Sequence, residues 1–310
     1  MTKATQKIIE PVNRSLIARE LTEDRFVRDT NKAGNKIYIL NHHNAPNTMR
    51  EIGRLRELSF REAGGGTGNA IDIDEADVSA HCYEQLIVYS PEDCEIIGGY
   101  RFITGERAKN LYTGKFELST SHYFDFTEKM EKEYLPYSIE FGRSWVQPSY
   151  QPSNNPRKGV FALMNIWDGL GSLVIRYPEI KYLFGKVTMY AHYHREARDI
   201  LLSFMNHYFP NRPDLCTPKK ELNASHDTSL FKSFFKKEMS YDEGFKLLNK
   251  LLKERGEYIP PLINIYMGLS KTMITFGTAR NPHFGDVEET GILVTIADIL
   301  QEVKDRHVHY

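Results

Sequence analysis

The stretch SIEFGRSWVQPSYQPSNNPRKG, residues 138–159, places charged side chains inside a strand-like pattern. Glu140 and Arg143 lie where a half-buried strand is predicted, and an unpaired buried charge is costly in free energy. Each must therefore be satisfied by the other, by water or by a ligand. This stretch is the first place in the chain where a binding or catalytic site is expected.

Gly142 lies between the two charged residues and bears on how they are arranged. In a regular strand, residues three apart point to opposite faces, so Glu140 and Arg143 would not share one pocket. Glycine inside a strand often marks a bulge, and one extra residue would turn both side chains to one side. Such a bulge would also splay the strand from its neighbour and open a wedge. A structural Glu–Arg pair that bridges two strands is the alternative.

The segment NNPRKG leads into an apolar helix, whose first backbone N–H groups have no partner within the helix. Those amides, with Arg157 and Lys158, predict an anion site, and Gly159 would let a phosphate approach the backbone. The alternative is an ordinary helix start with solvated basic residues. A phosphate site directly after a splayed strand suits a phosphopantetheine arm that passes between two strands.

Acidic residues are concentrated in AIDIDEADVSAHC, between Asp72 and Asp77. The simplest interpretation is a solvated loop that caps a helix. Two carboxylates three residues apart, Asp74 and Asp77, also suit an ammonium substrate or nearby arginines. Arg101, in a strand after two glycines, needs such a partner.

The sequence shows no metal or nucleophile motif. His192 and His194 have strand spacing, but no third ligand is near in sequence, which favours surface or hydrogen-bonded histidines. The three cysteines lie far apart and form no C-x-x-C pair, which argues against a disulfide framework and a zinc cage. We expect no metal and no resident cofactor.

Composition excludes several classes of protein. Of 310 residues 41% are apolar, enough for a sizeable core. Forty basic and 41 acidic residues give a net charge of -1, so no global field attracts nucleic acid, and any anionic partner must bind locally. The N-terminus lacks the apolar core of a signal peptide, and the most apolar run is too short to span a membrane. A reducing cytoplasm fits best.

The elements that position the site follow from periodicity. NTMREIGRLRELSFREAG predicts a helix that the following glycines end, and QLIVYSPEDCEIIGGYRFITG predicts two strands about a turn. A helix at 160–174, a strand at 181–190, helices at 196–209 and 240–255 and two final strands follow. Ser240 and Glu243 predict a capping box at the start of the helix at 240–255. Long βαβ units with a G-x-G-x-x-G turn are missing, which argues against a dinucleotide-binding sheet. The predicted fold class is α/β of the α+β type.

Five motifs follow one another along the chain: Arg56 with Phe60, Asp74-x-x-Asp77, Arg101, Phe116 and Glu140-x-x-Arg143. In order and local spacing they resemble the pattern of the acyl-homoserine-lactone synthases. The tryptophan that those synthases place six residues after their phenylalanine is replaced by Gly66. Four longer stretches carry a closer resemblance: LRELSFREAG, DIDEADVSAHCYEQLIVYSPEDCEIIGGYRF, SIEFGRSWVQPSYQ and LFGKVTMY. Over about residues 50–195 they resemble the sister group of N-acyl amino acid synthases, which are similar to ornithine-lipid and glycine-lipid synthases and are often called hemolysin-like.

This resemblance implies the fold of the GCN5-related N-acyltransferase (GNAT) superfamily. A mostly antiparallel mixed sheet with one splayed, bulged strand would be flanked by helices. The expected organisation is an N-terminal arm at 1–45 with a first strand at KIYILN, then one domain at 46–310. A helical or irregular insertion is expected at about 205–260, followed by a C-terminal extension.

The resemblance also implies the attack of an amine on the carbonyl carbon of an acyl thioester. Glu140 is the predicted general base, a role typically worth about 10²–10⁴ in rate. Arg143 would hold Glu140 or bind the acceptor's carboxylate. Backbone amides near Val146 and Gln147 are predicted to polarise the thioester carbonyl.

The substrates are predicted from the same resemblance. Several arginines near one wedge favour an anionic acceptor, such as glycine or ornithine, over a neutral amine. The donor would be a fatty acyl group, with or without a 3-hydroxyl, on acyl carrier protein or coenzyme A. The product would be the precursor of an N-acyl amino acid lipid. The predicted substrate-binding residues are Arg56, Phe60, Asp74, Asp77, Arg101 and Phe116, of which Arg56, Asp74, Asp77 and Arg101 would position the acceptor.

Two alternatives stay open. One is synthesis of an acyl-homoserine-lactone autoinducer from S-adenosylmethionine on the same scaffold, which Gly66 in place of tryptophan disfavours. The other is a non-catalytic protein with a degenerate GNAT fold that binds acyl carrier protein or lipid. A cytoplasmic protein is expected, and a lipophilic product would allow transient contact with the inner membrane.

Overall fold

The computed structural model describes residues 5–220, 222 and 233–309. The strands of these residues are β1 Phe26–Asp29, β2 Lys36–Leu40, β3 Glu84–Ser90, β4 Glu95–Thr104, β5 Phe124–Phe126, β6 Ser138–Val146, β7 Tyr182–Met189, β8 Cys216–Pro218, β9 Ile274–Asn281 and β10 Val287–Thr295. The helices are α1 Arg14–Glu20, α2 Pro46–Glu62, α3 Glu75–Val78, α4 Gly105–Ala108, α5 Pro156–Arg176, α6 Arg195–Tyr208, α7 Tyr241–Lys253, α8 Pro261–Leu269 and α9 Gln301–His307. Within the described part of the chain, no helix has both the length and the apolar character of a membrane span.

Eight strands form one sheet in the order β1-β2-β3-β4-β6-β7-β10-β9, and β5 pairs with β8 separately. Every neighbouring pair in the large sheet is antiparallel except β6 and β7, which are parallel. The predicted mixed, mostly antiparallel sheet is therefore confirmed. The parallel pair separates two antiparallel halves at the centre of the sheet.

The parallel pairing of β6 and β7 is short. It joins only residues 138–141 of β6 to residues 182–185 of β7. Beyond that point β6 continues beside β4, and β7 continues beside β10. The two strands therefore splay apart, and the predicted wedge is present.

The bulge in β6 lies directly after Gly142. Gly142 pairs with Arg101 of β4, whereas Trp145 pairs with Gly99, so three steps on β6 oppose two on β4. The backbone of Arg143 has φ +51°, which is uncommon for a residue other than glycine. The extra residue is thus absorbed at Arg143 and Ser144, and it redirects the Arg143 side chain.

Helices and a smaller layer cover the two faces of the sheet. On one face, α5 packs against β3 and β4, and α6, α7 and α8 extend the same core. On the other face, α2 packs over Trp145 and the neighbouring strands. The segment that contains β5 and β8 covers the remainder of this second face. The charged residues singled out by the sequence lie on this α2 face. They lie between the apolar core under α2 and the apolar core around β5 and β8.

The predicted elements are largely those observed. The helix that follows Ser240 begins with the predicted capping box, in which Ser240 and Glu243 bond each other's backbone N–H groups. Within the predicted N-terminal arm, the strand expected at KIYILN is present as β2, whereas the strand β1 at residues 26–29 was not predicted. Residues 221 and 223–232 of the predicted insertion lie outside the described residues, and the rest contributes β8 and α7. The division into an arm and one domain stays a prediction.

Candidate active site

A cleft of about 520 Å³ opens where β6 and β7 separate. Residues 141–146 of β6 form one wall, and Lys186 and Thr188 of β7, with Tyr190 just after this strand, form the other. Side chains alternate between the faces of a strand, so these walls contribute to both sides of the sheet. The cleft therefore joins the α5 face to the α2 face through the gap between the strands.

On the α5 face the cleft is an apolar chamber. Tyr100 and Phe141 form part of its wall with ring centroids 5.2 Å apart. Burial of a methylene group contributes about 0.8 kcal/mol, so this chamber favours a hydrocarbon chain. The apolar residues that α5 and α8 contribute are Ala162, Leu163, Ile166, Trp167, Leu170, Leu262 and Tyr266.

On the α2 face the cleft is a polar compartment that contains charges of both signs. Arg101, Arg143, Lys186 and Glu289 line it, with Ser119 beside them. Phe284 also lines it, and the Arg143 guanidinium carbon lies 4.1 Å from the Phe284 ring centroid. An anionic or zwitterionic molecule would find complementary charge in this compartment.

A buried network of arginines and aspartates supports the compartment from behind. Arg56 is fully buried and bonds Asp72 at 3.0 Å and Asp77 at 3.1 Å. Asp77 also accepts a contact from Arg101 at 3.1 Å. Burial would raise the pKa of the Asp77 carboxyl, but Arg56 and Arg101 hold it below its usual value. The arginines and the Asp77 carboxylate therefore remain charged in the interior.

The same network holds the arginine of the bulge. Arg143 Nε donates to Asp72 at 2.9 Å, and its Nη2 lies 3.6 Å from Asp74. Arg101 donates to Asp74 at 2.6 Å. Burial opposes the charge of Asp72, yet Arg143 and Arg56 lower its pKa. Three arginines and three aspartates thus balance one another, and the network orients Arg101 and Arg143 at the cleft wall.

Glu140 and Arg143 do not form the predicted pair. Glu140 is 1% exposed and accepts hydrogen bonds from the backbone N–H groups of Ser119 at 3.1 Å and Thr120 at 2.8 Å, and from the Tyr83 hydroxyl. Burial and the Glu140 charge raise the pKa of Tyr83 well above its ordinary value. The bulge turns Arg143 toward residues 72–74 instead. Glu140 does not line the cleft, so its position indicates a structural role rather than the predicted role of base.

The residues predicted to bind the acyl donor differ in their positions and contacts. Val146 and Gly159 line the cleft. The prediction for the Gln147 amide is wrong. Its N–H donates to the Ile97 carbonyl at 2.9 Å and is not free to polarise a thioester. Lys158 is bound to Asp93 at 2.6 Å, whereas Arg157 is exposed.

The helix start offers fewer free amides than predicted. Pro156 has no N–H, and the Lys158 N–H donates to the side chain of the N-cap residue Asn155. The Gly159 N–H bonds the Asn155 carbonyl. Gly159 is needed for packing, since a Cβ there would lie 2.5 Å from the Pro152 nitrogen. The Arg157 amide and side chain are what remains for an anion.

The predicted substrate-binding residues lie in three different places. Phe60 and Arg101 line the cleft. Arg56 and Asp77 lie behind it with no exposed side-chain surface, and Asp74 bridges two arginines at its edge. The prediction that Phe116 binds substrate is wrong, because Phe116 packs in the separate core around β5 and does not reach the cleft.

Sequence analysis missed Lys186 and Glu289. Both are charged residues inside otherwise apolar strands, Lys186 in KYLFGKVTMY and Glu289 in the segment VEETGILVT. The rule that singled out Glu140, a charge in a half-buried strand that needs a partner, applies equally to them. Within the described residues, no group of three or more His, Cys, Asp or Glu side chains is arranged to hold a metal ion.

The fold and the cleft define a class of protein. A central parallel pair that splays next to a bulged strand, with a helix starting at the rim of the gap, is the architecture of GNAT-type acyltransferases. The acetyltransferase (GNAT) domain family matches residues 55–158, which include β3, β4, β6 and the start of α5.

Two relatives narrow this assignment. A glycine N(alpha)-acyltransferase of Bacteroides thetaiotaomicron is 50% identical over 98% of this chain and 90% of its own length. A glycine N(alpha)-acyltransferase of Phocaeicola vulgatus is 48% identical over 98% of this chain and 93% of its own length. The chain belongs to the acyltransferase family of these two proteins. The solved structure of FeeM, an N-acyl amino acid synthase from uncultured soil microbes, is also similar, with a TM-score of 0.39, 9% identity and coverage of 89% of this chain and 96% of that chain.

Proposed function

We propose that the protein transfers a fatty acyl group from a thioester on acyl carrier protein to the amino group of glycine. The product would be an N-acylglycine, the precursor of an N-acyl amino acid lipid. The observation that carries the proposal is the cleft, in which an apolar chamber meets a charged compartment at the splay. The names of the two relatives support glycine over ornithine as the acceptor.

The donor would enter from the start of α5. Ser153 and Gly159 line the cleft there, and Arg157 stands exposed beside them. One arginine and one free amide suit the single phosphate of phosphopantetheine better than the three phosphates of coenzyme A. The arm would then pass between β6 and β7, with the acyl chain in the apolar chamber.

Val146 is the candidate donor of a hydrogen bond to the thioester carbonyl. In an antiparallel ladder, hydrogen-bonded pairs alternate with pairs whose N–H groups point away. Because the Gln147 N–H bonds β4 through Ile97, the N–H of Val146 points away from β4 and toward the gap left by β7. One such donor at a developing oxyanion is typically worth about 2.7–4 kcal/mol.

The reaction would be a direct displacement. The amine nitrogen of glycine attacks the thioester carbonyl carbon, the N–C bond forms, and the C–S bond breaks. The thiol of the carrier arm leaves. Arg143, held by Asp72 and stacked on Phe284, would attract the carboxylate of the acceptor to this point.

The test is a reaction of the purified protein with a fatty acyl group on acyl carrier protein and one acceptor at a time. Mass spectrometry identifies the product, and a thiol reagent follows release of the carrier. We expect N-acylglycine, with slower reaction of ornithine and of acyl-coenzyme A of the same chain length. A lactone from S-adenosylmethionine would select the autoinducer alternative. If the protein binds the acylated carrier protein but acylates no amino acid, the proposal is contradicted.

A further inference from the structure

Two charged side chains in the polar compartment are not part of the arginine–aspartate network. Lys186 of β7 and Glu289 of β10 lie diagonally on neighbouring strands, where Glu289 is opposite Thr188 and Lys186 is opposite Gly291. Lys186 Nζ lies 3.8 Å from Glu289 Oε2, and the two side chains are 11% and 7% exposed. Both line the cleft. A contact of this length is an ion pair without a hydrogen bond.

Both charges have unused hydrogen-bonding capacity. Glu289 Oε2 accepts only a long bond from Asn281 Nδ2 at 3.4 Å, and its Oε1 accepts none within the described residues. Lys186 Nζ donates no hydrogen bond to any described residue and lies 5.6 Å from the Tyr123 ring centroid. An ammonium and a carboxylate this deeply buried normally have several hydrogen-bonding partners. Their free positions face the cleft.

We infer that Lys186 and Glu289 form the binding site for the zwitterionic acceptor, an inference that rests on the proposed function. The acceptor's carboxylate binds Lys186, beside Arg143. Its ammonium group binds Glu289, which also accepts the proton that the amine must lose. An α-amino acid carries its ammonium group and its carboxylate on the same carbon atom, which matches two side chains this close together.

The proton balance assigns each group a role. The ammonium of glycine transfers one proton to Glu289, and the neutral amine attacks the thioester carbonyl carbon. The N–C bond forms and the C–S bond breaks. The nitrogen then loses a second proton to the departing thiolate. Glu289 returns its proton to water after the acylated product leaves, so the net products are the amide, the thiol and one proton.

Neighbouring residues hold Glu289 in the required orientation. The Tyr123 hydroxyl donates to Asn281 Oδ1 at 2.6 Å, which fixes the Asn281 amide so that its Nδ2 faces Glu289. Burial, first, and the Glu289 charge raise the pKa of Tyr123 to about 12. Tyr123 therefore stays a hydrogen-bond donor at neutral pH. Asn281 and Tyr123 are positioning residues in this arrangement.

The test uses two acceptors, glycine and glycinamide, which has no carboxylate. Wild-type protein should prefer glycine in kcat/KM by about 10–100-fold, the range for a charged hydrogen bond. Lys186→Met should lower kcat/KM for glycine to the level of glycinamide and leave glycinamide within about threefold of wild type. Glu289→Gln should lower kcat for both acceptors by about 10²–10⁴ and keep the preference for glycine.

Controls separate this role from a structural one. Glu288 is the matched control, because it is the next residue of β10 and its side chain pairs with Arg198 at 2.6 Å, on the opposite face. Glu288→Gln should keep the wild-type preference and kcat. Glu289→Asp, which keeps the charge, should retain more activity than Glu289→Gln, and thermal unfolding confirms that each variant is folded.

Three outcomes would overturn the inference alone while wild-type protein acylates glycine. They are a glycine preference that survives in Lys186→Met, a Glu289→Gln activity within threefold of wild type, and an equal loss in Glu288→Gln. Wild-type protein that consumes thioester but never acylates glycine would instead overturn the proposed function, before any variant is compared.

Discussion

Replacement of Arg56 by methionine tests whether this residue binds substrate or supports the site. Arg56 is one of the motif residues that predict the acceptor side, yet its side chain is fully buried against Asp72 and Asp77. Methionine keeps the length and apolar stem of the side chain but removes the guanidinium. The buried carboxylates of Asp72 and Asp77 then lose one of the positive charges that balance them. We therefore expect the free energy of unfolding to fall.

The size of the effect follows from the buried charges. Loss of one partner from a buried ion pair costs about 3–5 kcal/mol. At about 2.1 cal/mol/K per residue, the 310-residue chain has an unfolding entropy of about 0.65 kcal/mol/K. The expected drop in Tm at neutral pH is therefore about 5–8 °C. Arg56→Met combined with Asp77→Asn restores the charge balance and should recover roughly 1–3 kcal/mol of this loss.

The effect should depend on pH with a defined sign. The pKa values of Asp72 and Asp77 are lowered in the fold, since the arginines outweigh burial. Carboxyls of this kind stabilise the fold fully above the unfolded-state pKa of about 3.9, and the contribution is lost as pH falls through the folded-state value. The difference between wild type and Arg56→Met should therefore be largest at neutral pH and shrink below about pH 4.

Thermal unfolding from pH 3 to pH 7, followed by circular dichroism, measures this prediction. Arg50→Met is the matched control, because Arg50 lies on the same helix, is exposed and has no partner among the described residues. Its effect should stay within about 0.5 kcal/mol. A change in Tm below about 2 °C for Arg56→Met, or strict additivity with Asp77→Asn, would refute the reasoning.

Three further predictions concern the donor and the structural carboxylate. Arg157→Ala should raise KM for acyl carrier protein by about two- to fivefold at low salt, and Arg176→Ala, at the exposed far end of α5, should not. Trp167 lines both the cleft and an apolar cavity of about 220 Å³ beneath α9. Trp167→Ala should therefore shift the optimum of kcat/KM to longer acyl chains, at about 0.8 kcal/mol per added methylene, and an unchanged optimum would contradict this. Glu140→Gln should lower the free energy of unfolding by about 1–3 kcal/mol because an amide faces backbone donors, whereas lost activity at an unchanged Tm would restore Glu140 as the base.

Local chemistry was readable from the sequence wherever it depended on neighbours along the chain. Periodicity predicted α2 and α5, the turn pattern predicted β3 and β4, and Ser240 with Glu243 predicted the start of α7. The bulge beside Gly142 was also predicted, because a glycine inside a strand weakens regular pairing whatever surrounds it. The resemblance then indicated the GNAT class, which the match of the acetyltransferase (GNAT) domain family to residues 55–158 bears out, and the two relatives confirm an acyltransferase family.

Tertiary structure alone decided which charges meet. Arg143 and Glu140 are three residues apart, but the bulge directs Arg143 to Asp72, some 70 positions earlier in the chain, while Glu140 bonds the backbone of residues 119–120. Lys186 and Glu289 meet because β10 returns to pair with β7. Spacing along a chain determines the face on which a side chain lies, whereas its partner depends on which distant strand becomes its neighbour. The sequence by itself therefore determined the class of the protein and the position of the wedge, and the folded sheet decided which residues line it.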